Sequence, residues 1–531
     1  MCGIFATICQ EKQDHPSRYH FNLLQHRGPD RSTFSEVNDY VHLGFHHLSI
    51  IDRHHHSNQP LELQGIFLVC NGEIYNSKEL VRVNKFQTTT ASDCEVLIHL
   101  YLTYGTIGML EQIKGEFAFV LYDSILNELV IGRDPFGVRP LFYGLNDKGI
   151  YFASEMKALS FVEEDVFPFP PSMYQTIRVN PICSSPPRCY FKLQPSTVME
   201  PSMHDNIRVL LRQTVQQYLQ SERPIGCFLS GGLDSSLIAS LLFSVYPQLQ
   251  CFTIGLEDSV DVKAARMVAQ YIGLPESQHH IITMTVEEGI DAIPDVIYCL
   301  ESYDITTIRA SIPQYLLAKY VSQETNVKVL FSGEGADELF AGYQYSKMAT
   351  DKDVLLEDTL RLLKELYLFD NLRTDRTTAC WGLEVRVPFL SSVFVQLILH
   401  YDSSFRLCHD RMEKMLLRDA FRESRCLPRS VLYRGKEAFS DAISSKKRLW
   451  FRELQDHIDT CISDDEFHID KKMITINPPP TKEALYYRKL FDRYYPNRGH
   501  ILPHYWLPKW TGDTHEPSAT ALHCHQGDLT Q

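Results

Sequence analysis

Residues 225–236 read Ile225-Gly226-Cys227-Phe228-Leu229-Ser230-Gly231-Gly232-Leu233-Asp234-Ser235-Ser236. An apolar, strand-like run ends at Leu229, and a helical pattern opens at Leu233. Two glycines between strand and helix let the backbone approach an anion closely, and the N–H groups of the first helical turn point at it. Ser230, Ser235 and Ser236 add hydroxyl donors. Asp234 repels a phosphate directly, so its sensible role is to hold Mg2+ that bridges to pyrophosphate oxygens. Taken alone, the two glycines are better explained by a plain glycine turn between strand and helix.

A second loop tips the balance. Phe331-Ser332-Gly333-Glu334-Gly335-Ala336-Asp337-Glu338-Leu339-Phe340 also follows a strand-like run and opens a helix. Ligands of open α/β sheets bind at the carboxyl ends of the strands, so Asp234 and Asp337 are expected to converge on one metal–phosphate cluster. No Gly-x-x-x-x-Gly-Lys-Ser/Thr stretch is present, which points away from γ-phosphoryl transfer and toward adenylylation.

Around these loops, strand and helix patterns alternate. Helical runs are expected at Ile207–Leu219, from Leu233 and at Val262–Tyr271. Strands are expected at Ile225–Leu229, Cys251–Leu256, His280–Met284 and Val327–Phe331. This alternation predicts a doubly wound parallel sheet, with a mainly helical region from about Asp353. The N-terminal part reads differently, as short β-rich runs at 66–70, 116–122, 128–132, 141–143 and 150–154 separated by turn residues, hence antiparallel pairing. The proline- and serine-rich stretch Val162–Pro195 is the candidate linker, and the tail after Thr511 reads as loose.

With 531 residues the chain is too long for one core, so two or three domains are expected. Its composition is globular, and its net charge of −14 argues against a nucleic-acid or anionic-membrane surface. No apolar run is long enough to span a bilayer. The 14 cysteines include no Cys-x-x-Cys pair, which suits a reduced, cytoplasmic protein; Cys183 and Cys189 bracket a turn across which a bridge is conceivable. His54, His55 and His56 invite a metal reading, but adjacent side chains alternate direction and no nearby ligand completes a set, so a solvated loop is preferred.

At the other end, Cys2 becomes the N-terminal residue once Met1 is removed, and a thiol there carries its own base in the α-amine. A buried strand cysteine is the bland alternative. Arg27-Gly28-Pro29-Asp30 is a tight, charged turn. Asn71-Gly72-Glu73-Ile74-Tyr75-Asn76 offers a side-chain amide and a glycine N–H as an oxyanion hole. Glu73 and Asp93 are suited to hold a substrate ammonium.

These motifs, with Met1-Cys2-Gly3-Ile4, Glu301–Ala310, Trp381–Phe389, Phe439-Ser440-Asp441 and Tyr505–Trp510, occur in the order seen in glutamine-hydrolysing asparagine synthetases, which the chain resembles over nearly its whole length. The resemblance implies an N-terminal αββα sandwich of antiparallel sheets, of the N-terminal-nucleophile type, as a glutamine amidotransferase domain over 2–180. It further implies a linker at 181–202, a doubly wound ATP-pyrophosphatase domain with an added helical region over 203–511, and a loose tail at 512–531. It assigns attack on the glutamine amide to Cys2, oxyanion stabilisation to Asn71 and Gly72, and glutamine binding to His47, Leu48, Ser49, Ile50, Ile51, Asn71, Gly72, Glu73 and Asp93. Leu229, Ser230, Gly231, Gly232, Asp234, Ser235, Ser236, Ile254, Ser332, Gly333 and Lys414 are assigned to ATP, with Lys414 neutralising phosphate charge. Glu334 is placed at formation or capture of β-aspartyl-AMP, and Asp234 and Asp337 at Mg2+. The implied partners are L-glutamine, L-aspartate, Mg-ATP and a second copy in a homodimer, with ammonia passing through an internal tunnel.

The chain departs from the family pattern at three places. His47 stands where the family has an arginine for the glutamine α-carboxylate, and a neutral imidazole cannot replace a bidentate guanidinium; weakened glutamine affinity is expected unless His47 is protonated or His46 or Arg27 assists. Arg376 stands for a family lysine and Ser391 for an aspartate. The rival readings are a ligase of this fold with another acceptor, resembling β-lactam synthetases, and a catalytically silent partner-binding chain.

Overall fold

The computed structural model describes residues 1–11, 18–52, 57–409, 411–436, 444, 449–512 and 515–518. The expectations for His54–His56 and for Phe439-Ser440-Asp441 lie outside the described residues. The chain divides into two compact units. The first comprises Met1–Lys192, Gln217–Arg223 and Ala379–Glu384; the second comprises Leu193–Gln216, Pro224–Thr378 and Val385–Gln531. Two segments of the first unit thus fall inside the span 203–511.

The strands of the first unit are β1 (Gly3–Cys9), β2 (Arg31–Glu36), β3 (Val41–His47), β4 (Leu61–Leu63), β5 (Ile66–Ile74), β6 (Gly115–Asp123), β7 (Glu128–Arg133), β8 (Phe142–Asn146), β9 (Gly149–Ala153), β10 (Val166–Pro168), β11 (Met173–Arg178), β12 (Cys183–Ser184) and β13 (Arg188–Cys189). They form two antiparallel sheets, ordered β10-β8-β9-β1-β3-β2 and β12-β11-β7-β6-β5-β4, with β13 also against β11. Alternation along each strand builds the layers. Ile4, Ala6 and Ile8 of β1, Val41, Leu43 and Phe45 of β3, and Val69, Ala118 and Val120 of β5 and β6 share the core between the sheets. Their neighbours Leu68, Cys70, Phe117, Phe119 and Leu121 point the other way, into a layer closed by Leu80 of the helix Ser77–Asn84 and by Val96, Leu97 and Leu100 of the helix Glu95–Gln112. On the far face of the first sheet, Phe5 meets Phe21 of the helix Arg18–Asn22 edge-on. The expected αββα sandwich is present.

The stretch 162–195, read as a linker, is corrected in part. Its segment β11 pairs along β7, with Tyr174 opposite Gly132 and Ile177 opposite Leu129. Tyr174 and Ile177 are buried, and that burial outweighs the flanking prolines. Cys183 lies opposite Arg178 and Cys189 opposite Met173. Five residues of extended strand separate those partners by about 17 Å, too far for a bridge, and both thiols are free.

In the second unit, β14 (Ile225–Phe228), β15 (Gln250–Gly255), β16 (His279–Thr283), β17 (Val329–Phe331) and β18 (Glu384–Arg386) are ordered β16-β15-β14-β17-β18. The pairs β14–β15, β15–β16 and β14–β17 are parallel. Helices Leu233–Phe243 and Val260–Ile272 make the first two crossovers, and the helix Ile305–Glu324 precedes β17. The direction of winding reverses between β14 and β17, which places the ligand crevice of a doubly wound sheet at their carboxyl ends. Ser230 and Ser332 begin the loops there. Among the described residues no helix is long and apolar enough to cross a membrane.

Candidate functional site

The two loops of the second unit meet. A Cβ on Gly333 would lie 2.9 Å from both Asp234 Cβ and the Ser235 backbone nitrogen, so only glycine lets them pack. Gly231 has φ +79°, and a Cβ there would lie 2.5 Å from the Ala265 nitrogen; its role is close approach of the helix Val260–Ile272. Ser230 Oγ and Ser235 Oγ are 2.9 Å apart, and Gly232 N–H donates to Ser230 Oγ at 3.3 Å, which fixes the loop mouth. Leu229, Ser230, Gly232, Asp234, Ser235, Ile254, Ser332, Gly333, Glu334, Asp337 and Lys414 all line one cavity. Gly231 and Ser236 are not among its lining residues, and the Ser236 hydroxyl is fully buried.

Charge in this cavity centres on Lys414. Its ammonium contacts Asp234 Oδ2 and lies 2.6 Å from Asp337 Oδ1, while Lys436 Nζ donates to Asp337 Oδ2 at 2.6 Å. Burial pushes Asp337 up, but the two ammoniums outweigh it and hold the carboxyl at about 2. Burial pushes Lys436 down, and Asp337 and Asp234 more than reverse this. Gly342 must lack a side chain, because a Cβ there would overlap Lys414 Cε and Asp337 Oδ1.

Asp234 Oδ1 is buried without a hydrogen-bond partner among the described residues. Two carboxylates gathered around one cation, with a carboxylate oxygen to spare, fit Mg2+, which takes one or two carboxylates and completes its shell with water and substrate phosphates. Among the described residues no group of three or more His, Cys, Asp or Glu is placed to hold an ion by itself.

Beside this centre, Glu334 Oε2 accepts from Arg373 Nη2 at 2.9 Å, and the same guanidinium binds Asp370 at 2.7 Å and Gln314 at 2.9 Å. Burial raises the Glu334 carboxyl despite Arg373. Tyr343 O–H donates to Glu338 Oε1 at 2.5 Å, and burial, with Asp370 and Asp337 nearby, pushes Glu338 up to about 8. The sequence reading missed Lys436, Arg373, Asp370, Glu338 and Tyr343 as site residues. Only Glu338 sits inside a recognised motif; the others come from separate segments that the fold brings together.

The described part of the tail is not loose. Glu516 Oε1 lies 2.6 Å from Arg309 Nη1, and Pro517 and Ser518 are buried in the cavity wall. The ion pair offsets the entropy of holding a chain end.

In the first unit Cys2 Sγ lies 3.9 Å from the Leu48 carbonyl. Arg27 Nε donates to the Cys2 carbonyl at 3.0 Å and Nη1 to Glu155 at 2.6 Å, which fixes the turn beside the thiol. With Met1 in place the α-amine belongs to Met1; burial lowers it to about 6 and raises the Cys2 thiol to about 12. Asn71, on β5, is fully buried, and both its amide atoms lack hydrogen-bond partners among the described residues. Gly72 admits no side chain, since a Cβ would lie 2.2 Å from the Glu116 carbonyl. Asp93 Oδ2 accepts the Ile74 N–H at 2.6 Å, which places it beside the Asn71–Glu73 stretch.

The segment His47–Ile51 leaves β3 next to the thiol. Ser49 N–H donates to Asp30 Oδ2 at 2.9 Å, and the Ser49 and Ile50 carbonyls accept from Arg223 Nε at 2.8 Å and Glu222 N–H at 2.9 Å. Burial lowers His47 to about 4, against the pull of Asp30. The imidazole is therefore neutral near pH 7, which removes a protonated His47 from the exceptions to weakened glutamine affinity. His46 is held at about 4 by burial as well, and it faces Ser32 and the Phe21 carbonyl. Arg376 pairs with Glu301 at 2.9 Å, both fully buried.

Comparison with known proteins agrees with this geometry. The glutamine amidotransferase domain family matches residues 1–204, and the asparagine synthase family matches 206–358 and 347–521. The chain is 41% identical to the glutamine-hydrolysing asparagine synthetase of Gallus gallus, with 98% of each chain covered. It is 40% identical to those of Bos taurus and Homo sapiens at the same coverage.

Proposed function

The chain belongs to the glutamine-hydrolysing asparagine synthetase family, and on that premise we propose which of its residues carry the two half-reactions. Aspartate, glutamine, ATP and water become asparagine, glutamate, AMP and pyrophosphate. In the first unit, removal of Met1 gives Cys2 its own α-amine, which takes the thiol proton. The thiolate attacks the glutamine amide carbon and ammonia leaves. Asn71 Nδ2 and the Gly72 N–H stabilise the oxyanion, and water then hydrolyses the glutamyl thioester. Glu73 and Asp93 hold the substrate ammonium, and the Leu48–Ile51 backbone shapes the pocket.

In the second unit the aspartate β-carboxylate attacks the α-phosphorus of ATP, and pyrophosphate leaves into the loop of Ser230, Gly232 and Ser235. Lys414 and Lys436 neutralise its charge. Ammonia then attacks the acyl carbon of β-aspartyl-AMP, AMP departs, and Glu334, oriented by Arg373, accepts a proton. Leu229 and Ile254 flank the adenine. Asp234 and Asp337 would hold Mg2+, which supplies charge stabilisation to the departing pyrophosphate.

The observation that carries the ligase assignment is the meeting of the two strand-end loops at Asp234, Lys414 and Asp337 with Glu334 alongside. The same premise supports a glutaminase domain over 2–180, a linker at 181–202, a synthetase domain over 203–511, a homodimer and a cytoplasmic location. The test is asparagine and AMP formation from aspartate and Mg-ATP, with glutamine and with ammonium in parallel. Asparagine from both sources, with only the glutamine-driven part lost in Cys2→Ala, is the expected result. No asparagine from either source would overturn the assignment.

A further inference from the structure

Arg309 lines the cavity of the second unit, yet its guanidinium is engaged by two carboxylates. Nε and Nη2 donate to the two oxygens of Glu483 at 2.8 and 2.5 Å. Nη1 donates to Glu516 Oε1 at 2.6 Å, and Nη2 also reaches Glu516 Oε2 at 3.2 Å. Glu483 is fixed in turn by the Tyr487 hydroxyl at 3.0 Å. The Glu516 carboxylate accepts further from Gln455 Nε2 at 2.7 Å and from the Ser518 N–H at 2.9 Å. Charged, two-pronged contacts of this kind are the strong ones. Burial pushes the Glu516 carboxyl up, and Arg309 with the other donors holds it below its usual value.

These contacts set a piece of main chain against the cavity. Pro517 and Ser518 are buried and line it. Pro517 has no N–H, and the Ser518 N–H is taken by Glu516, so neither offers a backbone donor to a water molecule. Arg309 sits on the helix Ile305–Glu324, and Gln314, further along the same helix, also lines the cavity. The rise between them is about 7.5 Å, less than two helical turns. Gln314 Oε1 accepts from Arg373 Nη1 at 2.9 Å, and Arg373 holds Glu334. The fixed segment is thus anchored close to the group that orients the carboxylate assigned to β-aspartyl-AMP.

An acyl adenylate is open to water as well as to ammonia. In the side reaction the water oxygen bonds to the acyl carbon, and the acyl C–O bond breaks with its electron pair leaving on AMP. The protons go to solvent, aspartate is regenerated and ATP is consumed for nothing. A closed cavity suppresses such loss. We propose that Glu516 is a positioning residue for the ligase half-reaction: locked to Arg309, it holds Pro517 and Ser518 as the side of the cavity that keeps water from the acyl adenylate. It acts through the main chain it fixes and touches no substrate. The proposal rests on the ligase reading of this cavity.

The experiment follows AMP and asparagine together in the full chain and in Glu516→Ala, with aspartate, Mg-ATP and ammonium as the nitrogen source. The unaltered chain should form the two in nearly equal amounts. In Glu516→Ala the AMP formed per asparagine should rise by about twofold or more, and the excess should shrink as ammonium is raised, because ammonia and water compete for one carbon. In water enriched in heavy oxygen, the regenerated aspartate should carry the label in its β-carboxylate. A purely structural anchor would lower both products together, so an unchanged ratio would overturn the role. If Glu516→Ala does not fold, Glu516→Gln, which keeps the length and loses the charge, gives the same readings. No aspartate-dependent AMP from the unaltered chain would overturn the ligase reading itself, and this assignment with it.

Discussion

Asn71 is buried with an amide that makes no hydrogen bond among the described residues. Leaving such a group unpaired costs about 1–3 kcal/mol, a cost that makes sense if the partner is the reaction's oxyanion. Asn71→Ala should lower glutaminase kcat by about 100- to 1000-fold with no loss of thermal stability; a large fall in Tm with little change in kcat would assign Asn71 a structural role instead. His47 gives a second test. With its imidazole held at about 4, glutamine KM should show no inflection attributable to it between pH 6 and 8.5, and an inflection that disappears in His47→Gln would contradict the burial. Cys2, Asn71, Gly72, Asp234 and Glu334 were legible in the sequence because each sits in a short motif whose backbone geometry its neighbours dictate. Arg373, Lys436 and Tyr343 were not, because their partners are remote: Lys436 meets Asp337 across 99 positions, and no local pattern encodes that distance.

Among the elements, the strands and crossover helices were readable from periodicity, since alternation in β5 and β6 and the shift to helical spacing after Leu233 reflect which faces are buried. β11 was misjudged because prolines at its start read as a break, whereas Tyr174 and Ile177 mark a strand with buried side chains. Phe119 of β6 is fully buried between its sheet and the helix Glu95–Gln112. Phe119→Ala should cost about 3–5 kcal/mol of stability, read as a lowered urea midpoint for the first unit. At the meeting of the two loops, Gly333→Ala would force its new methyl against Asp234 and the Ser235 nitrogen. ATP KM should rise by about tenfold or more, since the loops part where pyrophosphate binds; an unchanged KM would show that the loops yield without cost.

For the whole molecule, two sets of groups oppose each other as pH changes. Burial holds His46, His47 and His279 at about 4 instead of 6.5. The unfolded chain then binds protons that the native chain refuses, so stability falls as pH drops from 6.5 toward 4. Glu338, raised from 4.5 to about 8 by burial, keeps a proton that the unfolded chain has lost. Its contribution is complete below pH 4.5 and is lost as pH rises toward 8. Urea midpoints at pH 5, 6.5 and 8 should show both trends, with His279→Gln weakening the acid one and Glu338→Gln the other. One further consequence lies in how the chain is threaded. Gln217–Arg223 and Ala379–Glu384 return to the first unit, where Tyr218 stacks on Tyr75 at 3.5 Å and Arg223 braces Ser49 and Asp30. A gene cut at the Lys192 codon would therefore encode an N-terminal fragment missing pieces of its own pocket. A cassette excised at that codon would leave the Arg223 brace on Ser49 and Asp30 behind.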